Sequence, residues 1–252
     1  MLALKKAFKV VGNGPNEKKV LLNKIDLSLK PGEFVTVVGG NGAGKSTLFN
    51  CISGTMPLTS GQVTIDDQNV TTLSEEKRAR FLARVFQDPK MGTAPRMTVA
   101  ENLLLSQKRG QKRSLGLRQL QGQREMFFAL CKEIGNGLEN HLDTPTGSLS
   151  GGQRQALSLL MATIQTPKLL LLDEHTAALD PKTSKQLMQI TAKRVEEQNL
   201  TCLMITHRME DALKYGDRLI LLRKGEIVKD LSADEKARLS LPELLLFFED
   251  DL

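Results

Sequence analysis

The chain opens on weak alternation. Ile25, Leu27 and Leu29 fall on one side with polar residues between them, and Pro31-Gly32 then turns the chain, so residues 1–30 read as antiparallel strands joined by turns. Phe34 to Val38 is a nearly continuous apolar, β-branched run, the pattern of a strand buried on both faces, and it leads straight into glycines. Leu48, Phe49 and Ile52 then recur at helical spacing until Gly54 and Pro57 stop them. Arg84-Val85-Phe86 reads as another strand edge. Thr98 to Arg109 and Gln119 to Ile134 are helical in composition and joined by basic, Gly-containing turns, so a helical insert separates two halves of a sheet. From Ser150 a glycine pair opens a helix running to about Gln165; Pro167 breaks it, and Leu169-Leu170-Leu171-Leu172 forms a buried strand ending in Asp173-Glu174. Thr201 to Thr206 is a comparable strand ending in His207, and Arg218 to Arg223 with Glu226 to Leu231 form a hairpin around Lys224-Gly225. Leu241 to Phe248, followed by Asp250 and Asp251, is amphipathic and expected to pack against the core.

Strand, glycine loop, helix and further buried strands predict an α/β fold: a parallel sheet covered on both faces, with catalytic groups at the carboxyl ends of its strands. Asp173, Glu174 and His207 all stand at such ends. A length of 252 residues allows a full core, and the order of the motifs favours one domain. Hydrophobic residues at 40%, no Trp and a single Tyr describe an ordinary globular protein. No apolar stretch approaches the roughly 20 residues of a membrane span, and Met1 to Lys6 lack a signal-peptide hydrophobic region, so a cytoplasmic protein is expected.

Two features of composition refine this only slightly. Cys51, Cys131 and Cys202 are widely spaced and odd in number, which points to buried structural thiols and away from disulfides or zinc. The formal charge of +6 is concentrated at Lys108, Arg109, Lys112, Arg113, Arg118 and Arg124, a run read as a solvated face with an anionic surface as the alternative. It lacks the interleaved aromatics that single-strand binders use for stacking.

The chemistry starts at Gly39 to Ser46, Gly-Gly-Asn-Gly-Ala-Gly-Lys-Ser, set between the buried strand and the helix. Gly39, Gly42 and Gly44, with Asn41 and Ala43 between them, let backbone amides turn inward around a phosphate. Lys45 reaches the β- and γ-phosphates, Ser46 offers a hydroxyl to magnesium, and Thr47 continues the helix start. After such a loop, Asp173 is expected to hold magnesium through water and Glu174 to orient or deprotonate the attacking water. His207 is placed to bond the γ-phosphate, and the Gln87 amide to bridge the magnesium shell and the helical insert.

With Gly39 to Ser46, Gln87, Leu149 to Gln153, Leu169 to Glu174, Ala178-Leu179-Asp180 and His207 in this order, essentially the whole chain resembles the ATP-binding-cassette family. The resemblance implies a RecA-like P-loop NTPase fold: a parallel core with an antiparallel β subdomain (1–86 and 166–252) and a helical subdomain (87–165) carrying the signature Leu149-Ser150-Gly151-Gly152-Gln153. It implies ATP and Mg2+ as nucleotide and metal, and a head-to-tail homodimer in which Ser150, Gly151, Gly152 and Gln153 of one subunit close over the γ-phosphate held by the other. Asp180 belongs to the same implied nucleotide site. It also implies a peripheral place on the inner face of the cell membrane, integral membrane permease subunits as partners, and a substrate-binding protein indirectly.

Two departures stand out. The family's proline after the glutamate is His175 here, expected as a neutral surface histidine, and the aromatic that stacks on adenine falls near Val10 or Val11, with Phe8 out of phase. Phe86-Gln87-Asp88-Pro89 with Gly92-Thr93-Ala94-Pro95, Leu160 to Thr163 and Asp173 to Asp180 resemble a subgroup of bacterial uptake ATPases. These are paired with permeases similar to branched-chain amino-acid permeases and a lipoprotein-type binding protein, and some are linked to aromatic amino acids. The rival reading, a soluble family member acting on nucleic acid or ribosomes, is disfavoured because the chain has neither a second cassette nor a long coiled-coil insertion.

Overall fold

The computed structural model describes residues 1–12, 14, 18–111 and 120–249. In chain order the strands are β1 (Leu2–Val11), β2 (Lys19–Leu29), β3 (Phe34–Val38), β4 (Ser60–Ile65), β5 (Gln68–Asn69), β6 (Leu82–Val85), β7 (Leu169–Asp173), β8 (Thr201–Ile205), β9 (Arg218–Arg223) and β10 (Glu226–Leu231). The helices are α1 (Lys45–Ser53), α2 (Glu75–Arg78), α3 (Val99–Ser106), α4 (Arg124–Ile134), α5 (Gly151–Thr163), α6 (Pro181–Glu197), α7 (Met209–Lys214), α8 (Ala233–Arg238) and α9 (Leu241–Glu249).

Two sheets form. One is antiparallel, in the order β2-β1-β4-β5; the other has the order β10-β9-β3-β8-β7-β6 and is parallel except for β10. The unbroken apolar runs of β3, β7 and β8 are buried at every position, as a strand between two covered faces requires. Their alternate side chains separate cleanly. Phe34, Leu170, Leu172, Cys202 and Met204 join the core shared with α3 to α6, whereas Val35, Val37, Leu169, Leu171, Leu203 and Ile205 join the core under α1 and the antiparallel sheet. Each such leucine contributes about 2 kcal/mol by burial, so the two cores hold the strands between them from both sides.

The insert interrupts the chain but not the sheet. β6 and β7 flank it in sequence and pair side by side in parallel, Leu82 with Leu169 and Val85 with Leu172. The expected hairpin is β9–β10, and Leu244 of α9 is fully buried against Val38, Ala212, Leu219 and Leu221, as the amphipathic tail predicts.

Some expectations change. The pattern reading passed over β4 and β5, and over α6, whose start is fixed by the Asp180 cap with Pro181 as its first residue. The helix expected from Gln119 begins at Arg124, after a short turn of 3-10 helix at Gln121–Gln123. The three cysteines are buried and unpaired; burial pushes Cys51 to about 11 and Cys131 to about 12, so both thiols stay protonated. The basic run is not a uniform solvated face. Arg109 donates to the carbonyls of Ala162 and Gln165 at the end of α5, whereas Arg124 stays at the surface, paired with the exposed Asp143 at 2.5 Å. Lys112, Arg113 and Arg118 of that run lie outside the described residues, as do Asp250 and Asp251. Among the described residues, no helix is long and apolar enough to cross a membrane.

Candidate active site

The site lies where β3, β7 and β8 end together. Beyond β3 the chain enters the glycine loop, in which Gly42 and Gly44 take φ of 75° and 104°, conformations that side chains rarely adopt. Gly39 is required for another reason: a Cβ there would stand 2.3 Å from the Leu222 carbonyl oxygen of β9. The loop is clamped from behind, because Gly225 at the β9–β10 turn donates from its amide to Ala43 O at 2.8 Å and accepts from Asn23 N at 2.8 Å. Nothing in the sequence pattern marked Gly225 for this task.

Gly44 caps α1 without a side chain, so the first turn of the helix presents open amides to the loop's concavity. Lys45 is buried and donates from Nζ to Gly39 O at 2.7 Å and Gly40 O at 3.0 Å. Burial lowers the pKa of Lys45, and the negative charges of Glu174 and Asp173 oppose that shift.

Glu174 follows β7 in a left-handed conformation, φ 46°, with its amide donating to Ile205 O at 3.0 Å. Non-glycine residues held this way concentrate where geometry matters for function. His207 follows β8, whose register puts Ile205 opposite Asp173, and its Nε2 donates to the Glu174 carboxylate at 2.7 Å. Gln87 lies just past β6, where Gln155 of α5 fixes the preceding residue by donating to Phe86 O at 2.9 Å.

A single cleft is lined by Asn41, Gly42, Ala43, Gly44, Lys45, Ser46, Thr47, Gln87, Glu174 and His207, together with Lys19, Leu21 and Ala177. Lys19 and Leu21 carried no sequence signal; β2 brings them in. No aromatic residue is among the described residues that line this cleft. Asp173 does not line it; its Oδ2 is held by Arg84 Nη2 at 2.5 Å. The Ser46 hydroxyl, the Gln87 amide and the Asp173 carboxylate are oxygen donors of the kind a hard divalent cation takes alongside phosphates.

The remaining candidates stand apart. Ser150 caps α5 in a reciprocal box with Gln153, each accepting from the other's amide at 3.2 Å, and neither lines the cleft. A Cβ on Gly152 would meet Thr183 of α6 at 2.7 Å, while Gly151 is exposed with its nearest neighbour at 3.9 Å. The Asp180 carboxylate accepts from Lys182 N and Thr183 N, which commits it to the α6 cap. His175 corrects an expectation: it is buried, with Nε2 3.1 Å from Thr191 Oγ1, and burial lowers its pKa to about 4.

A phosphate-binding loop facing a carboxylate–histidine pair across the ends of parallel strands defines a P-loop nucleotide-hydrolysing protein. The profile described as ABC transporter matches residues 22–177, and the chain belongs to that family as an ATP-hydrolysing, ATP-binding subunit. It is similar to the tyrosine transport ATP-binding protein of Clostridioides difficile (strain R20291), 46% identical over 250 residues that cover 99% of each chain. The phosphonates import ATP-binding protein PhnC 2 of Oceanobacillus iheyensis is 35% identical over 226 residues, 87% of each chain. Among solved structures, the dimeric post-hydrolysis state of the ATP-binding cassette MJ0796 bound to ADP and Pi superposes with a TM-score of 0.78 at 29% identity, covering 92% of this chain and 99% of that one.

Proposed function

We propose that this chain energises solute import by hydrolysing ATP in a head-to-tail homodimer docked on separate membrane permease subunits at the inner face of the membrane. The observation that carries the reading is the separation of Ser150 from its own cleft. Ser150 to Gln153 form an ordered, amide-rich helix start that does not line the site where Lys45 lies, so a second copy is the natural source of the covering signature. The dimeric cassette similar to this chain supports a dimer.

Within the cleft, the loop amides and Lys45 hold the triphosphate, and Glu174 accepts a proton from the attacking water as the bond between the β- and γ-phosphates breaks. His207 orients Glu174 through Nε2 and, when nucleotide binds, can turn that N–H to the terminal phosphate. Ser46 and Gln87, with Asp173 through water, would hold Mg2+, which neutralises phosphate charge when bound. Asp180 acts by fixing the α6 start next to the signature. Adenine is held by aliphatic surface from Leu21 and the Lys19 stem rather than by an aromatic ring.

Residues 1–86 and 166–252 form the proposed nucleotide-binding core, and 87–165 the helical part that meets the permease through Gln87 to Arg96. The relative named for tyrosine transport supports an amino acid, aromatic in class, as the solute; the partners proposed from the sequence motifs alone are permeases resembling those for branched-chain amino acids and a lipoprotein-type binding protein. Arg109 is engaged inside the fold and Arg124, at the surface, is neutralised by Asp143, which reduces the support for a nucleic-acid partner.

The test is Glu174→Gln. That variant should retain ATP binding, lose at least about a hundredfold in hydrolysis, and elute as a dimer with ATP and a monomer with ADP. Normal turnover, or no ATP-driven dimer, would overturn the reading. Radiolabelled tyrosine uptake by the intact transporter in proteoliposomes tests the solute class.

A further inference from the structure

Arg84 is the one charged residue of β6, Leu82-Ala83-Arg84-Val85, an edge strand from which a long cation would ordinarily reach solvent. It does not. Its side chain is 10% exposed and turns inward, with Nη2 on Asp173 Oδ2 at 2.5 Å and Nη1 on Asn50 Oδ1 of α1 at 2.8 Å. The guanidinium also lies 4.8 Å from the centre of the Phe86 ring and 5.9 Å from that of Phe49.

A largely buried ion pair is weak evidence for stability, since desolvation offsets most of its attraction. What the planar fork supplies is orientation, and here it ties three elements together: the edge strand, the end of β7 and the helix that begins at Lys45. The bond occupies Oδ2 of Asp173 and leaves Oδ1 available. Because Asn50 and two ring faces hold the guanidinium independently of Asp173, Arg84 is a fixed support and not a cation to be displaced.

We propose that Arg84 is a positioning residue of the ATP site, which locks the Asp173 carboxylate so that its free oxygen is aimed, through water, at the divalent cation accompanying the nucleotide. This inference rests on the reading of Asp173 as the metal-side carboxylate. Arg84 touches neither nucleotide nor metal; it acts through Asp173, and through Asn50 it keeps that carboxylate in register with Lys45 and Ser46.

The experiment measures ATP affinity of the full chain by calorimetry, once with Mg2+ and once with excess EDTA, for the wild type, Arg84→Met, Arg84→Lys and Asn50→Ala. Arg84→Met should weaken binding about tenfold with Mg2+ and less than about twofold in EDTA, the scale of losing an outer support of a metal ligand. Arg84→Lys should recover part of the loss, because it restores charge without the fork. Asn50→Ala should weaken binding in the same sense but less, and carries the test if Arg84→Met does not fold. An undiminished Mg2+ gain in these variants overturns the proposal, as does an equal loss with and without the metal. If the wild type itself shows no Mg2+ gain, the assignment of Asp173 to the metal fails first, and the role of Arg84 with it.

Discussion

His207 Nε2 lies 2.7 Å from the Glu174 carboxylate, joining the ends of two neighbouring parallel strands across the mouth of the cleft. The contact arises from register: β7 and β8 pair Asp173 with Ile205, so the residues just beyond each strand end are brought side by side. Glu174 is held in a left-handed turn and His207 sits within a turn closed by Thr206 Oγ1 accepting from Arg208 N at 3.0 Å, so the backbone at both positions is fixed.

The pair should behave as a unit. His207→Ala is expected to lower ATP turnover by about a hundredfold with little change in ATP affinity, and adding Glu174→Gln should cost far less than the product of the two single losses. Steady-state hydrolysis for the two single variants and the double variant checks this; independent, multiplicative effects would separate the roles of the two residues.

The proposed composite site predicts rescue between two inactive chains. Lys45→Ala removes the phosphate ligand of its own cleft, and Gly151→Asp puts a carboxylate where a partner's phosphate would sit. The new side chain has room, its nearest neighbour being Leu179 at 3.9 Å, and an acidic residue suits a helix start. Each variant alone should be inactive. Their equimolar mixture should regain up to about a quarter of wild-type hydrolysis, because one site in each mixed dimer is intact; a mixture as inactive as its components rules out sharing.

His175 makes the fold sensitive to acid. Its pKa falls from 6.5 to about 4 because burial penalises the charged ring, so between those values the unfolded chain binds a proton that the folded chain does not. Stability contributed by the neutral ring is therefore complete above pH 6.5 and is lost as pH falls towards 4, by as much as about 3 kcal/mol. His175→Gln, which can still face the Thr191 hydroxyl, should flatten the fall in melting temperature across that window. A fall as steep in the variant as in the wild type would place the acid sensitivity elsewhere.

Arg78 secures the far end of α1. It is 2% exposed and donates to the carbonyls of Cys51, Ile52, Thr71 and Leu73 at 2.7 to 3.0 Å. Arg78→Met should leave those acceptors buried and unpaired and cost about 2–4 kcal/mol, a drop of about 5 °C or more in melting temperature. Gly54→Ala should destabilise as well, since φ is 88° there and a Cβ would stand 2.8 Å from Arg78 Nε. Thermal melts followed by circular dichroism measure both.

The sequence by itself determined what depends on near neighbours along the chain. The buried strands β3, β7 and β8 were legible because their apolar runs need cover on both faces, and the loop from Gly39 to Ser46 because glycines, a lysine and a hydroxyl at fixed spacing suit phosphate. Position at a strand end was also readable for Asp173, Glu174, Gln87 and His207. β4 escaped because Ser60-Gly61-Gln62-Val63-Thr64-Ile65 is a strand through its pairing with β1, and half of it carries no apolar signal.

Tertiary structure alone decided the contacts that need register and depth. Arg84 and Asp173 are 89 residues apart, and only the pairing of β6 with β7 puts one within reach of the other. His175 is polar by composition, yet α6 folds over it and makes it a buried neutral ring. Gly225 reaches Ala43 because the last hairpin closes behind the phosphate loop. Ser150 is a strong local helix start wherever it stands; its distance from its own cleft, and hence its availability to a second copy, is a property of how α5 packs on the sheet. Local patterns name the groups that do chemistry, whereas packing between distant segments sets which of them meet.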